Sequence, residues 1–560
     1  MTKKAILISA VFIALIVLGA SRAPADERTD LVDKIFAEWD STHSPGMALA
    51  IVADGEIIYK RGYGMANLEQ GLPVKTDTVF YVGSVSKQFT AFCTAILVVE
   101  GKISLEASIR EYLPELPECF ALVQVPQLVY HTSGIRDFYE LMELSGVRTA
   151  DDYYNHADIM ALLQRQRTLN FPPGEKELYS NSGYFLLAEL VARVSGKTVN
   201  EFAQERIFVP LGMESTIFHQ DHAMLVPRRA DGYAPDGNGG FKRFMGHMNI
   251  VGAGGVFSTV EDLYRWDQAL YGGYFDQEVL DLIHRKGKLN NGDELDYAFG
   301  LTVSKYRGLD TVMHGGALFG FRAGYVQFPE QRFSVICLAN LSATNPLGLA
   351  LNVAEIYLGD LMESEPTATT ADAGGKPEFI ELPEVDLAKF TGTYSYNSGE
   401  SLMTILLREG HLVFDEKDLA GIRLAPVAPN RFFAVDFPLS FDLTFEMGDS
   451  GLPTKAVALI NNDETYEYEA LNEQPPQLEP LAGEYYSDEL DTTYSLEVVN
   501  GALFLRTRNA PENPLAYRAG GEFFIPEAGI SLIFQRDETG EVNNLRIDSG
   551  RAYNIIFEKK

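Results

Sequence analysis

The stretch Phe80-Tyr81-Val82-Gly83-Ser84-Val85-Ser86-Lys87 runs directly into an apolar helical segment, 88–99. Ser84 then stands at the N-terminus of a buried helix, where two effects converge. Lys87 lies three residues on, one turn away on the same face. The free N–H groups and positive dipole end of the helix favour an anion developing beside them. A serine hydroxyl is a weak nucleophile that an adjacent amine activates. Taken alone, Ser-x-x-Lys equally fits a capping serine followed by a solvated lysine. The apolar helix makes a buried ammonium costly, which favours a chemical role.

Two further stretches carry chemistry. Tyr179-Ser180-Asn181 follows the rigid turn Phe171-Pro172-Pro173-Gly174 and precedes a helical run, 183–194. A phenol is a poor base at neutral pH; beside a buried ammonium its phenolate is favoured, so Tyr179 is expected to have a lowered pKa and to relay a proton to or from Lys87. Asn181 is expected to donate its amide to a substrate carbonyl, although Ser180 or Asn181 could equally be a helix cap. His314-Gly315-Gly316 reads as the start of a strand whose glycines let a substrate backbone approach. His314 is expected to bond a substrate carboxylate or the Tyr179 hydroxyl, or to be a structural histidine at a strand end.

Around these stretches the chain divides. Residues 1–25 read as a signal peptide: Lys3 and Lys4, an apolar run at 5–20, then Ala23-Pro24-Ala25 as a cleavage point. Residues 26–362 form one large unit. It opens with an amphipathic helix (31–39) and two strand-like runs (47–52, 57–63) joined by Asp54-Gly55, a hairpin signal. Strand patterns return near Val312, Tyr325 and Ser334, so one sheet is expected from the two ends of the unit, with helices between. Residues 363–377 have linker composition. The remainder, 378–473 and 474–560, is strand-like and repeats itself. Leu387, Gly392, Tyr394, Gly410, Leu412 and Phe432 recur 91 residues later as Leu478, Gly483, Tyr485, Gly501, Leu503 and Phe523. Phe445, Gly451 and Tyr468 recur as Phe534, Gly540 and Phe557, 89 residues later. Each copy is expected to close into a small antiparallel barrel serving as scaffold or lid.

In order, 95 and then 135 residues apart, Ser84, Tyr179 and His314 resemble the three motifs of the serine β-lactamase / D,D-peptidase superfamily in its class C-like branch. His131-Thr132-Ser133-Gly134-Ile135, Pro210-Leu211-Gly212-Met213 and Gly254-Gly255-Val256-Phe257-Ser258-Thr259 look like further family signatures, read as structural turns and caps. The third motif is His-Gly-Gly where class C β-lactamases have Lys-Thr-Gly. That variant, and the two tail barrels, are similar to the D-aminopeptidases. The resemblance implies an α+β, β-lactamase-like catalytic domain followed by two eight-stranded barrels. It implies a metal-free and cofactor-free acyl-enzyme mechanism on small D-amino-acid amides or peptides, with D,D-carboxypeptidase activity close by. Ser84 would be the nucleophile and Lys87 and Tyr179 the proton shuttle. Asn181, His314 and Gly316 would bind substrate, and the N–H groups of Ser84 and Ala317 would form the oxyanion hole. It also implies a loop from the last barrel at the active site; 506–514 is the candidate. An esterase of the same fold and a non-catalytic sensor of peptidoglycan fragments or penicillins are the alternatives.

Composition bounds the rest. The 560 residues suggest about three domains. Acids outnumber bases 78 to 46, a net charge of −32 that becomes −35 when 1–25 are removed. Such a surface disfavours nucleic acid and anionic lipid. A periplasmic or secreted location is expected, with no stable membrane association after cleavage; a homodimer is compatible. Cys93, Cys119 and Cys337 read as packing residues. His219 and His222 have metal-like spacing but no third ligand near them in sequence, so a surface loop is expected.

Overall fold

A computed structural model describes residues 27–364 and 379–560, apart from the short segments 397–400, 417–418, 436–439, 461–463, 472–475, 510–511, 519 and 526–527. The N-terminal apolar run and nearly all of the 363–377 linker lie outside the described residues.

Strands β1 (Met47–Ala53) and β2 (Glu56–Tyr63) form the expected hairpin. Asp54 and Gly55 between them have φ of 50° and 86°, the left-handed pair that a two-residue type I′ turn demands. Strands β3 (Thr302–Tyr306), β4 (Leu309–Leu318), β5 (Phe321–Phe328) and β6 (Phe333–Ala339) come from the other end of the unit. The sheet order is β3-β4-β5-β6-β1-β2, and β1 meets β6 antiparallel, Met47 opposite Ala339. One sheet is therefore built from both ends of the domain.

The helices that matter for the site are α1 (Glu27–Phe36), α2 (Lys87–Val99), α3 (Phe138–Leu144), α4 (Asn181–Ser195), α5 (Val260–Leu270) and α6 (Pro346–Leu358). Side chains alternate across a strand, so β1 and β6 each feed two cores. Leu49, Ile51, Val335 and Cys337 pack with Val32 and Phe36 of α1 and Val353 and Ala354 of α6. Ala48, Ala50, Ile336 and Leu338 belong to the core on the other face, with Phe89, Phe92 and Cys93 of α2 and Phe185 and Leu186 of α4. Both faces are covered, which is why β1 and β6 are apolar without alternation. Cys93, Cys119 and Cys337 are free thiols, two of them wholly buried. Thr259 caps α5, its Oγ1 accepting from Asp262 N at 3.0 Å.

The two tail copies are antiparallel barrels. The first closes with eight strands. The second has nine strand segments, because the strand matching Leu419–Ala428 of the first copy is split into Asn513–Pro514 and Ala516–Arg518. Leu515 between them still donates to Leu503 O at 2.8 Å, so the sheet continues across the split. The repeat extends to single hydrogen bonds: Tyr394 donates to Phe390 O and Tyr485 to Leu481 O, each at 2.8 Å. Gly410 and Gly501 share a positive φ, 76° and 79°.

One buried arginine is central to the contact between the second barrel and the catalytic domain. Arg136 is 1% exposed. Its Nη1 donates to Glu489 and Gln166 at 2.8 Å each, and its Nε and Nη2 donate to the carbonyls of Tyr553 and Asn554 at 2.8 and 2.9 Å. Removing one member of a buried, hydrogen-bonded ion pair leaves the other charge stranded. Arg136→Met is expected to cost about 3–5 kcal/mol, read as a lower denaturation midpoint of the full-length protein.

Candidate active site

Ser84 lies in a tight turn, Gly83–Ser86, that runs straight into α2. Lys87, the first residue of α2, is completely buried. Its Nζ lies 3.2 Å from Ser84 Oγ, 2.8 Å from Asn181 Oδ1 and 2.8 Å from the carbonyl of Ala253. Burial drives the amine well below the usual lysine range; Asp137 pulls it back up, and Arg551 adds to the fall. The solvated lysine that the sequence also allowed is thereby excluded.

The start of α4 supplies the second group. Ser180 does not cap it: its hydroxyl donates to Ile135 O at 3.0 Å. The cap comes from Asp137, a wholly buried residue that also caps α3 through Tyr139 N at 3.0 Å. Asp137 Oδ2 accepts from Asn181 N at 2.7 Å and from Asn181 Nδ2 at 2.9 Å. The amide of Asn181 is thus oriented with its oxygen on Lys87 and one N–H on Asp137. Its second amide N–H is not used by these bonds, and Asn181 lines the cavity over Ser84.

Tyr179 joins Ser84 and Lys87. The Lys87 Nζ lies 4.6 Å from the centroid of its ring. The expected depression of the phenol does not occur. Burial raises its pKa well above the usual tyrosine range, and a hydrogen bond with Ser84 and the charge of Arg551 offset only part of this. Desolvation outweighs the nearby cations because the lysine itself is driven toward neutrality. His131 packs on Tyr179 with ring centroids 4.2 Å apart, and its Nδ1 accepts from Ser180 N at 3.1 Å. The motif holding His131 therefore shapes the site as well as a turn.

Strand β4 is the third wall. His314 is its sixth residue, not its start. Its Nδ1 donates to Gly315 O at 2.5 Å and its Nε2 accepts from Tyr297 O–H at 2.9 Å. Both nitrogens are occupied, so the structure gives it neither the Tyr179 hydroxyl nor an open position for a substrate carboxylate. Burial, then Lys87, lowers its pKa to about 4, so it stays neutral. Gly316 also has a different task from the one expected. A Cβ there would lie 2.0 Å from Val82 O, and one on Gly83 (φ +56°) would lie 2.6 Å from Ala317 N. These two glycines let strand and turn touch, bringing the Ala317 N–H beside Ser84; Ala317 itself is exposed on the cavity wall.

The cavity over Ser84 has a volume of about 260 Å³. Tyr81, Tyr139, Tyr179, Asn181 and Leu318 line it, with Glu143 at one side and Arg551 from the last barrel. None of the described residues of 506–514 lines it. Arg508 and Asn509 rest instead against Gly146, and 510–511 lie outside the described residues. The barrel element at the site is thus the hairpin tip at Arg551. His219 and His222 lie away from this cavity, bonded to Met224 O and Asn249 Oδ1. Sequence reading missed Asp137, Tyr297 and Arg551. Asp137 lies just past the His131–Ile135 motif, the one available signal; Tyr297 and Arg551 sit in no recognisable pattern.

An amine held near neutrality, a serine hydroxyl within reach and a phenol that keeps its proton can perform nucleophilic acyl transfer. Comparison with known proteins supports a serine hydrolase of this fold. A family model described as Beta-lactamase matches residues 31–358. A D-aminopeptidase of Brucella anthropi is 24% identical over 556 residues, 92% of this chain and 95% of that protein. Penicillin-binding protein 4* of Bacillus subtilis is 27% identical over 436 residues, 74% of this chain and 93% of that protein. Among solved structures, the octameric penicillin-binding protein homologue from Pyrococcus abyssi shares the fold at a TM-score of 0.54 and 22% identity, covering 79% of this chain and 99% of that one. The D-amino acid amidase from Ochrobactrum anthropi SV3 does so at 0.51 and 23%, covering 60% and 100%. The matched span holds Ser84, Lys87, Tyr179 and His314 on one sheet-and-helix frame, and the chain belongs to the β-lactamase family as a serine hydrolase of that fold.

Proposed function

We propose that this chain is an exported, periplasmic serine hydrolase that forms an acyl-enzyme on small D-amino-acid amides or peptides. The observation that carries the reading is the buried Lys87 amine 3.2 Å from Ser84 Oγ, at the floor of a cavity sized for a small substrate. Similarity over both barrels, and not only the catalytic domain, to a protein named D-aminopeptidase supports the substrate class. The Glu143 carboxylate on the cavity wall suits a substrate with a free ammonium and offers nothing to a neutral ester. The basic start and apolar run at 3–20 support export.

In this mechanism the neutral Lys87 accepts the Ser84 proton as Ser84 Oγ bonds to the amide carbonyl carbon. The resulting oxyanion is held by the N–H groups of Ser84 and Ala317. Tyr179, whose phenol keeps its proton, protonates the leaving amine as the C–N bond breaks, and the proton on Lys87 replaces it. Water then attacks the ester, losing its proton to Lys87, and Ser84 regains one as the acid leaves. The division of labour follows from the opposite effects of burial on the two pKa values: it lowers that of the amine, which is left unprotonated and free to accept a proton, and raises that of the phenol, which keeps its own.

Ser84→Ala is expected to abolish both turnover of D-alanyl p-nitroanilide and labelling by a fluorophosphonate. Full activity in that variant would end the mechanism, and preference for p-nitrophenyl butyrate over the D-alanyl amide in the wild type would favour the esterase. Because Lys87 must be unprotonated, kcat/KM is expected to rise with pH through its lowered pKa. Asp137 raises that pKa, so Asp137→Asn is expected to move the acid limb to lower pH. A pH–rate profile of the two proteins checks the sign.

A further inference from the structure

We propose that Arg551, at the tip of the last hairpin, is a positioning residue of the catalytic site: it holds the Asp137 carboxylate that fixes Asn181 on the Lys87 amine. The inference rests on the acyl-transfer reading of Ser84 and Lys87, and not on the choice of substrate. The hairpin strands Val542–Ser549 and Ala552–Lys559 pair Ser549 with Ala552, leaving Gly550 and Arg551 as the turn. Gly550 has a φ of +46°, and a Cβ on it would lie 2.7 Å from the Glu140 carboxylate of α3. A bare turn is what lets the tip reach the cavity.

The tip is secured by its backbone. Arg551 O accepts from Asp137 N at 3.2 Å and from Asn170 Nδ2 at 2.9 Å, and Tyr553 N donates to Asn170 Oδ1 at 2.8 Å. The guanidinium lies 3.5 Å from Asp137 Oδ1 and 3.5 Å from Glu140 Oε1, with its carbon 5.8 Å from the Tyr179 ring centroid. Arg551, Asp137, Asn181 and Lys87 thus form an unbroken line from the second barrel to the nucleophile's base. The groups around the amine are Asp137, Arg551, His131, His314, Tyr179 and Tyr184. Burial keeps both histidines and both phenols neutral, so the fixed charges near the base are those of Asp137 and its partner. The first barrel has Asn462 at the matching position, 89 residues earlier; the charge belongs to the second copy, the one that touches the site.

The test is the pH dependence of Ser84 labelling by a fluorophosphonate in the full-length protein, which needs no D-amino substrate. Failure of the wild type on D-amino amides would count against the proposed substrate class and leave this experiment readable. Arg551→Gln removes the cation and leaves Asp137 unpaired beside the base. It is expected to move the acid limb of the labelling rate up by about one pH unit, roughly a tenfold loss at a fixed pH on that limb, while Arg551→Lys restores most of it. An unmoved limb, or an equal shift in the lysine variant, would overturn the proposal. If Arg551→Gln does not fold, Glu140→Gln carries the test. Freeing Arg551 for Asp137 is expected to move the limb down, and no shift or an upward one would overturn it.

Discussion

The desolvation of one amine organises this molecule. An ammonium taken out of water without full compensation is among the costliest groups a protein can bury, and Lys87 is buried completely. The fold meets that cost by letting the charge go. The amine is left with two oxygen acceptors, from Asn181 and Ala253, and a carboxylate one residue removed. Each neighbour then has a defined task. Asp137 orients the Asn181 amide and caps two helices. Two glycines let β4 press against the Ser84 turn. His131 and Tyr184 close the apolar wall around Tyr179. Reactivity here is a by-product of placing a lysine where water cannot reach it.

Much of this was legible in the sequence, for reasons that differ by residue. The Ser84–Lys87 spacing is a local helical relation, and local relations survive folding. The Asp54-Gly55 turn between strand-like runs at 47–52 and 57–63, and the strand patterns returning near Val312, Tyr325 and Ser334, announced a sheet made from two distant ends. The tail repeats announced themselves by constant offsets. What sequence could not supply was the state of the groups. Tyr179 beside a lysine suggested a lowered phenol, but the sign depended on whether that lysine kept its charge, a property of three-dimensional burial. His314 looked like a substrate ligand until Tyr297 and its own neighbour's carbonyl took both nitrogens. Arg551 stands 467 positions beyond Ser84, in a hairpin that no spacing rule connects to it.

The two barrels illustrate how duplicated elements acquire unequal roles. Their buried positions correspond pair by pair, down to the tyrosine that ties each first strand to the turn before it. Their loops do not. The second copy presents Glu489, Tyr494 and the 550–554 hairpin to the catalytic domain, and its fourth strand is interrupted. Such closed, self-satisfied sheets tolerate variation in their turns because the core does not depend on them. One copy could therefore be adapted to a partner surface without disturbing the other.

The sheet order has a temporal side. Strand β1 is synthesised early, yet its inner neighbour β6 follows some 290 residues later, so the central sheet cannot close until most of the domain exists, and pairing across so long a separation is intrinsically slow. Most strands of the first barrel pair with their sequence neighbours and face no such delay. The hairpin tip that completes the catalytic cavity is made later still, about 210 residues after β6. Synthesis order thus leaves the site unfinished until that hairpin has emerged: a chain that stops short of it carries Ser84 and Lys87 but never acquires the surroundings in which they were placed to act.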